Sequence, residues 1–172
     1  MSDQGAGTLT VPEGCHGITA PPMAEIAVAV VASRYNAVVV QKLLDGAVAR
    51  LVEHGIARDQ ITVVLVPGAW ELPLACRRLA EAGGHQAVVA LGCVVRGGTP
   101  HFEYVCSEAS RGVIQASLDT GLPVSFGLLT TDTIEQAAER AGGQHGNKGA
   151  EAADAAVEMA QLMRALPRGR RM

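Results

Sequence analysis

Leu91-Gly92-Cys93-Val94-Val95-Arg96-Gly97-Gly98-Thr99-Pro100-His101-Phe102 carries an apolar run through a Gly-Gly-Thr turn straight into the start of a helix. Thr99 is placed to serve as N-cap and Pro100 as the first helical residue, which puts His101 in the first turn. Flexible glycine backbone beside a helix N-terminus offers N–H groups to an anion such as phosphate. An imidazole at the same place exchanges protons near neutral pH. The turn has neither the spacing nor the Gly-Lys-Ser/Thr ending of a Walker loop.

Working outward, the same strand-to-helix alternation repeats along the chain. Residues 26–31 form a continuous apolar run, read as a buried strand, and a helical stretch follows to about residue 54. Leu44, Val48 and Leu51 share one face of that helix, and Gly55 stops it. Residues 61–66 read as a second strand and 72–82 as a helix ending at Gly83-Gly84. Strand three spans 87–91, followed by a helix over 100–120 that Gly121 ends; strand four spans 124–129. Two helices, 132–141 and 149–165, close the chain on either side of Gly142-Gly143-Gln144-His145-Gly146-Asn147. Strands and helices of these lengths imply parallel crossovers, hence a three-layer α/β/α sandwich around a four-stranded parallel sheet.

Three segments are expected: an N-terminal arm over 1–24, flexible or extended and carrying Pro21-Pro22; one domain over 25–166; and a basic tail over 167–172. The chain has 172 residues, 48% hydrophobic and 18% charged, a soluble globular balance with enough length for a substantial core. No apolar run reaches the roughly 18 residues of a membrane span, and the N-terminus lacks the pattern of a secretory signal. A net charge of −3 argues against nucleic acid as the main partner. Cys15, Cys76, Cys93 and Cys106 show no paired spacing, so neither a zinc site nor a disulfide framework is indicated and a reducing cytoplasm is the expected location.

In such sheets the ligand crevice lies at the carboxyl ends of the strands. The segments to inspect are therefore Ser33-Arg34-Tyr35-Asn36, Gly68-Ala69-Trp70-Glu71, residues 93–101 and residues 126–131. Only 3% of the chain is aromatic, yet Tyr35, Trp70 and Phe126 all fall at strand ends or just beyond. As a trio they suggest walls for a flat ring; singly, each is as well explained as a plug at one end of the sheet. Glu71 fits two roles, a carboxylate accepting ligand N–H groups or a cap on the following helix. Arg140 can fork onto a phosphate or complement a helix dipole. Lys148, one of two lysines in the chain, stands at a helix start, where the dipole disfavours it and a functional reason is invited. His101 has the strongest individual setting, as a neutral base that takes a proton and returns it.

Together these segments resemble the lumazine synthase family of riboflavin biosynthesis. The matching pieces are Arg34-Tyr35-Asn36, Pro67-Gly68-Ala69-Trp70-Glu71-Leu72-Pro73, residues 91–105, Phe126-Gly127-Leu128-Leu129-Thr130-Thr131, Glu135-Gln136-Ala137, Glu139-Arg140-Ala141-Gly142 and Gly146-Asn147-Lys148-Gly149, in family order. The resemblance implies a flavodoxin-like fold and condensation of 5-amino-6-(D-ribitylamino)uracil with 3,4-dihydroxy-2-butanone 4-phosphate. It implies that Tyr35 stacks on the pyrimidine, with Ala69, Trp70, Glu71, Cys93, Val94 and Val95 around the ring and ribityl chain. Gly98, Thr99 and Arg140 match phosphate-binding positions, His101 the proton-transfer residue, Lys148 an accessory position, and Phe126 a wall lent by an adjacent subunit. No step of that chemistry calls for a metal or a redox cofactor.

The resemblance further implies small-molecule substrates and a homo-oligomer: pentamers, of which twelve close into an icosahedral shell in some members. Riboflavin synthase is a candidate partner. The short 142–147 connection favours the shell, whereas Pro21-Pro22 would hinder an arm strand from pairing with a neighbour; the shell is the expectation. Tyr35 departs from a frequent phenylalanine, which keeps the stacking face and adds a hydroxyl. A flavodoxin-type carrier is disfavoured because its phosphate loop after strand one would be Ser/Thr/Gly-rich. A shell protein without catalysis would be expected to have lost His101, Arg140 or Glu71, and all three are present.

Overall fold

The computed structural model describes residues 9–20 and 25–167. Pro21-Pro22 and the arginines of the tail lie outside them, and the described part of the arm is an exposed coil with one turn at 13–14. Four parallel strands, β1 (Val28–Ser33), β2 (Ile61–Val66), β3 (Ala87–Val95) and β4 (Val124–Thr131), form one sheet in the order β2-β1-β3-β4. All six residues of β1 are buried, as are the first seven of β3. Strands covered on both faces read as unbroken apolar runs, which is why Val28–Val31 and Ala87–Leu91 show no alternation.

Helices α1 (Ala37–Glu53) and α5 (Lys148–Ala165) cover one face, where Leu43, Ala47 and Leu51 meet Val28, Val30, Val89, Leu91, Ala153 and Ala156. On the other face α2 (Leu72–Ala82) and α3 (His101–Thr120) bring Leu72, Cys76, Ala109 and Val113 onto Ala29, Val31, Val88 and Ala90. The arrangement follows from one handedness rule. The chain steps from β1 out to β2, then back across β1 to β3 and on to β4, so the first crossover helix must lie opposite the next two. Burial pushes the Cys76 thiol up to about 12, so this side chain is an apolar filler.

Several expected boundaries move. Strand β1 starts at Val28 and runs to Ser33 instead of spanning 26–31; β3 continues through Gly92 to Val95, and β4 to Thr131. Gly92 sits inside the strand because a Cβ there would lie 2.7 Å from Leu128 and 2.9 Å from Ser33 Oγ. The 142–147 connection is a small antiparallel hairpin, β5 (Ala141–Gly143) and β6 (Gly146–Asn147). Helix α4 (Ile134–Glu139) is shorter than expected, with Thr133 Oγ1 accepting from the Gln136 N–H as its cap. Arg58–Gln60 and Ala69–Glu71 form short 3-10 turns. Helix α2 spans 72–82 as read from the sequence, with Gly83 at positive φ beyond it.

Asn147 joins the last helix to the first. Its Oδ1 accepts from the Gly149 and Ala150 N–H groups at 2.9 and 3.2 Å, capping α5, while its Nδ2 donates to the Lys42 carbonyl of α1 at 2.9 Å. Gly149 lets the two helices approach: a Cβ there would stand 2.1 Å from the Leu43 carbonyl oxygen. Because that neighbour is backbone, Gly149→Ala is expected to force the helices apart at a cost of about 3 kcal/mol. Gly97→Ala, whose Cβ would meet nothing within 4 Å, is the control. Urea midpoints of the two variants check this; equal midpoints would remove the contact from any structural role.

Candidate active site

The crevice opens where β1 and β3 lie side by side, because β1 feeds a helix on one face and β3 feeds a helix on the other. A cleft of about 430 Å³ occupies this position, lined by Tyr35, Asn36, Gly68, Ala69, Trp70, Glu71, Cys93, Val94, Val95, His101 and Val105. Its size suits a small organic ligand. Three strand ends contribute to it. The Arg34 N–H continues the β1–β2 ladder onto the Val66 carbonyl at 2.9 Å, which brings Tyr35 beside Gly68. A Cβ on Gly68 would sit 3.1 Å from the Tyr35 ring, so glycine is what lets the aromatic settle there.

Tyr35 and Trp70 are 72% and 58% exposed. Two large exposed aromatic side chains lining one cleft are suited to stacking a flat ring. Glu71 holds its turn together: its Oε2 accepts from the Gly68 N–H at 2.8 Å. The carboxylate therefore closes the 68–71 turn and lines the cleft, while making no side-chain cap on α2. Cys93 forms the floor, and burial pushes its thiol up to about 11, so it stays protonated at neutral pH and is no nucleophile.

Asn36 lies in the segment after β1 that the sequence marks for inspection, but the sequence assigns it no role. Among the described residues it is the one non-glycine with positive φ, at φ 55 and ψ 44. Its Nδ2 donates to the Cys93 carbonyl at 2.9 Å, bridging the loop after β1 to the end of β3. The available signal was residue type: immediately before a helix, three residues past a strand end, asparagine readily takes the left-handed conformation.

His101 opens α3 at the mouth of the cleft. The helix start differs from expectation in one respect. Pro100 already has helical angles and precedes the first helical residue, and no side chain caps the helix, so Thr99 does not act as N-cap. Gly98 and Thr99 form an exposed bend, and a Cβ on Gly97 or Gly98 would meet nothing within 4 Å.

The structure does not bring Phe126, Arg140 and Lys148 into this cleft. Phe126 pairs in register with Ala90 on the edge strand β4 and is 47% exposed, so within one chain the three aromatics are not a trio around one ring. A separate shallow groove between β4 and α5 contains Phe126 and Lys148. Lys148 Nζ meets the Glu151 carboxylate at 2.8 and 3.0 Å, which offsets its unfavourable place at a helix start. Arg140 ends α4 and donates from Nη1 to the Gln136 carbonyl at 3.0 Å.

Asn36→Gly keeps the left-handed backbone and removes the bridge to Cys93, whereas Asn36→Ala removes both. The alanine variant is expected to be less stable than the glycine one by about 1 kcal/mol, with both losing affinity for a ring ligand relative to the unsubstituted chain. Thermal melts beside ligand titrations read the two effects separately.

Comparison with known proteins bears on the family. Residues 25–164 match the family model described as 6,7-dimethyl-8-ribityllumazine synthase. A relative from Desulfovibrio desulfuricans named 6,7-dimethyl-8-ribityllumazine synthase is 53% identical over 139 residues, covering 81% of this chain and 89% of that protein. The chain belongs to the 6,7-dimethyl-8-ribityllumazine synthase family.

Proposed function

We propose that the protein is a transferase condensing 5-amino-6-(D-ribitylamino)uracil with 3,4-dihydroxy-2-butanone 4-phosphate to 6,7-dimethyl-8-ribityllumazine, with release of phosphate and water. The observation that carries the reading is the convergence of Tyr35, Trp70, Glu71, the Cys93–Val95 floor and His101 on one cleft at the switch point of the sheet. In this reading the pyrimidine stacks between Tyr35 and Trp70, with Glu71 and Ala69 at its polar edge and Cys93, Val94 and Val95 beneath. The phosphate of the ketone sits at Gly98-Thr99, beside His101. An amine attacks the ketone to give an imine, phosphate leaves by elimination, and the enol tautomerises before the ring closes. His101 moves protons between these steps.

Orientation is the larger contribution. Holding two substrates in register accounts for up to about 7–11 kcal/mol in ideal cases, and a positioned acid–base for about 10²–10⁴-fold. The proposal extends to assembly. Phe126, Arg140 and the accessory Lys148 would complete the cleft of a neighbouring subunit in a pentamer, and pentamers would close into a shell with room for riboflavin synthase as cargo. Supporting this, both sheet edges carry uncovered apolar side chains. Val63 and Leu65 on β2, in register with Val30 and Ala32, are 44% and 60% exposed, and Phe126 on β4 is nearly half exposed. No described helix is long and apolar enough to cross a membrane. Cytoplasmic residence belongs to the same reading, in keeping with Cys15, Cys76, Cys93 and Cys106 as free thiols.

Mixing the protein with both substrates should give the fluorescent lumazine well above the uncatalysed background; its absence would overturn the enzyme reading. His101→Ala should lose about 10²-fold in kcat while staying above background. If sites are shared between subunits, co-expressed His101→Ala and Arg140→Ala chains would form hybrids with about a quarter of their sites intact. Activity of the hybrid above that of either variant alone supports the shared site, and none above it argues for sites within one chain.

A further inference from the structure

The turn that presents His101 is held only at its ends. Gly97 and Gly98 have open space around them, and no side chain caps α3. What grips the turn is Arg96. Its N–H donates to the Thr131 carbonyl at 2.9 Å, carrying the β3–β4 ladder one residue past the end of the strands. Its guanidinium then spreads over two segments. Nη1 donates to the Glu103 carboxylate, Nε donates to Asp132 Oδ1 at 2.7 Å, and the group lies over the Phe102 ring, 4.2 Å from its centroid. Phe102 and Glu103 directly follow His101.

The connections continue beyond Asp132. Its N–H donates to Gln136 Oε1 at 3.0 Å, and the Gln136 carbonyl accepts from Arg140 Nη1 at 3.0 Å. One arginine therefore ties the helical turn bearing His101 to the segment bearing Arg140. We propose that Arg96 is a positioning residue, fixing the first turn of α3 and the 131–140 segment in one relation. The purpose assigned to that relation rests on the function proposed above, with His101 serving one site and Arg140 the phosphate of the next.

Physical chemistry favours position over stability as what this network supplies. The ion pairs are partly exposed, and pairs of that kind add little to folding free energy. A planar fork that engages two carboxylates while stacking on a ring fixes direction, which a lysine ammonium cannot do. Arg96 also holds the Glu103 carboxyl below its ordinary range, so the pair stays ionised throughout the neutral region.

The test compares the intact protein with Arg96→Met and Arg96→Lys in three measurements: thermal melts, steady-state kinetics with each substrate varied, and the NMR titration of His101. Arg96→Met is expected to melt within a few degrees of the parent while kcat/KM for the phosphorylated ketone falls about 10-fold, as a small misplacement would cause. KM for the pyrimidine should hardly change, and Arg96→Lys should recover only part of the loss. The His101 ring resonances should shift in the methionine variant. Parent-like kinetics and unshifted His101 resonances in Arg96→Met would overturn the proposal, as would full recovery by lysine or a kinetic loss matched by a large drop in melting temperature. Should the parent itself make no lumazine, the functional reading fails, and the His101 resonances still decide whether Arg96 positions the turn.

Discussion

Burial of β1 and β3 on both faces is the constraint from which the rest follows. Two adjacent strands without a polar face need helices above and below, and the single handedness of parallel crossovers dictates which helix goes where. Helix α1 must take one face and α2 and α3 the other, which opens the sheet at the carboxyl ends of β1 and β3. The cleft is thus a by-product of covering the core. Its lining comes from what the short loops there carry: Tyr35, the Gly68–Glu71 turn, and His101 at the start of α3.

The candidate residues fall into two sets. Tyr35, Ala69, Trp70, Glu71, Cys93, Val94, Val95 and His101 meet in one cleft, while Phe126, Arg140 and Lys148 lie outside it. This division is physical: β4 is an edge strand, and among the described residues no strand pairs with its outer side. Arg96 stands between the sets, bonded to the first turn of α3 and to the loop that begins α4.

Much of this was legible in the sequence wherever punctuation was strong. Helix α2 is bracketed by Pro73 and by Gly83-Gly84, and β2 by the 58–60 turn and Pro67, so both were read without error. Strand β3 runs four residues past the expected end at 91, and only the proximity of Leu128, Ser33 and Leu72 shows why glycine stands inside it at position 92. The hairpin at 141–147 is too rich in glycine to announce pairing. Cleft residues carried by strand ends were found because crevice position follows from topology. Asn36 escaped because its part depends on a backbone angle and on a carbonyl 57 residues away. The separation of Phe126 from Tyr35 and Trp70 is a matter of strand order, which spacing along the chain does not reveal.

The clasp between α1 and α5 also orders events on the ribosome. Face for face, Ala152, Ala153, Ala156, Val157 and Ala160 complete the layer that α1 begins over β1 and β3. These residues emerge after all four strands, so a nascent chain first holds a complete sheet whose α1 face lacks the α5 side of its cover. Domains generally fold as units during synthesis, and exposed apolar surface at that stage invites misassociation. Helix α5, small-residued and capped by Asn147 against α1, closes that interval, and a chain stopped before it would leave the face to α1 alone and keep the partners of Ala152, Ala153, Ala156, Val157 and Ala160 exposed.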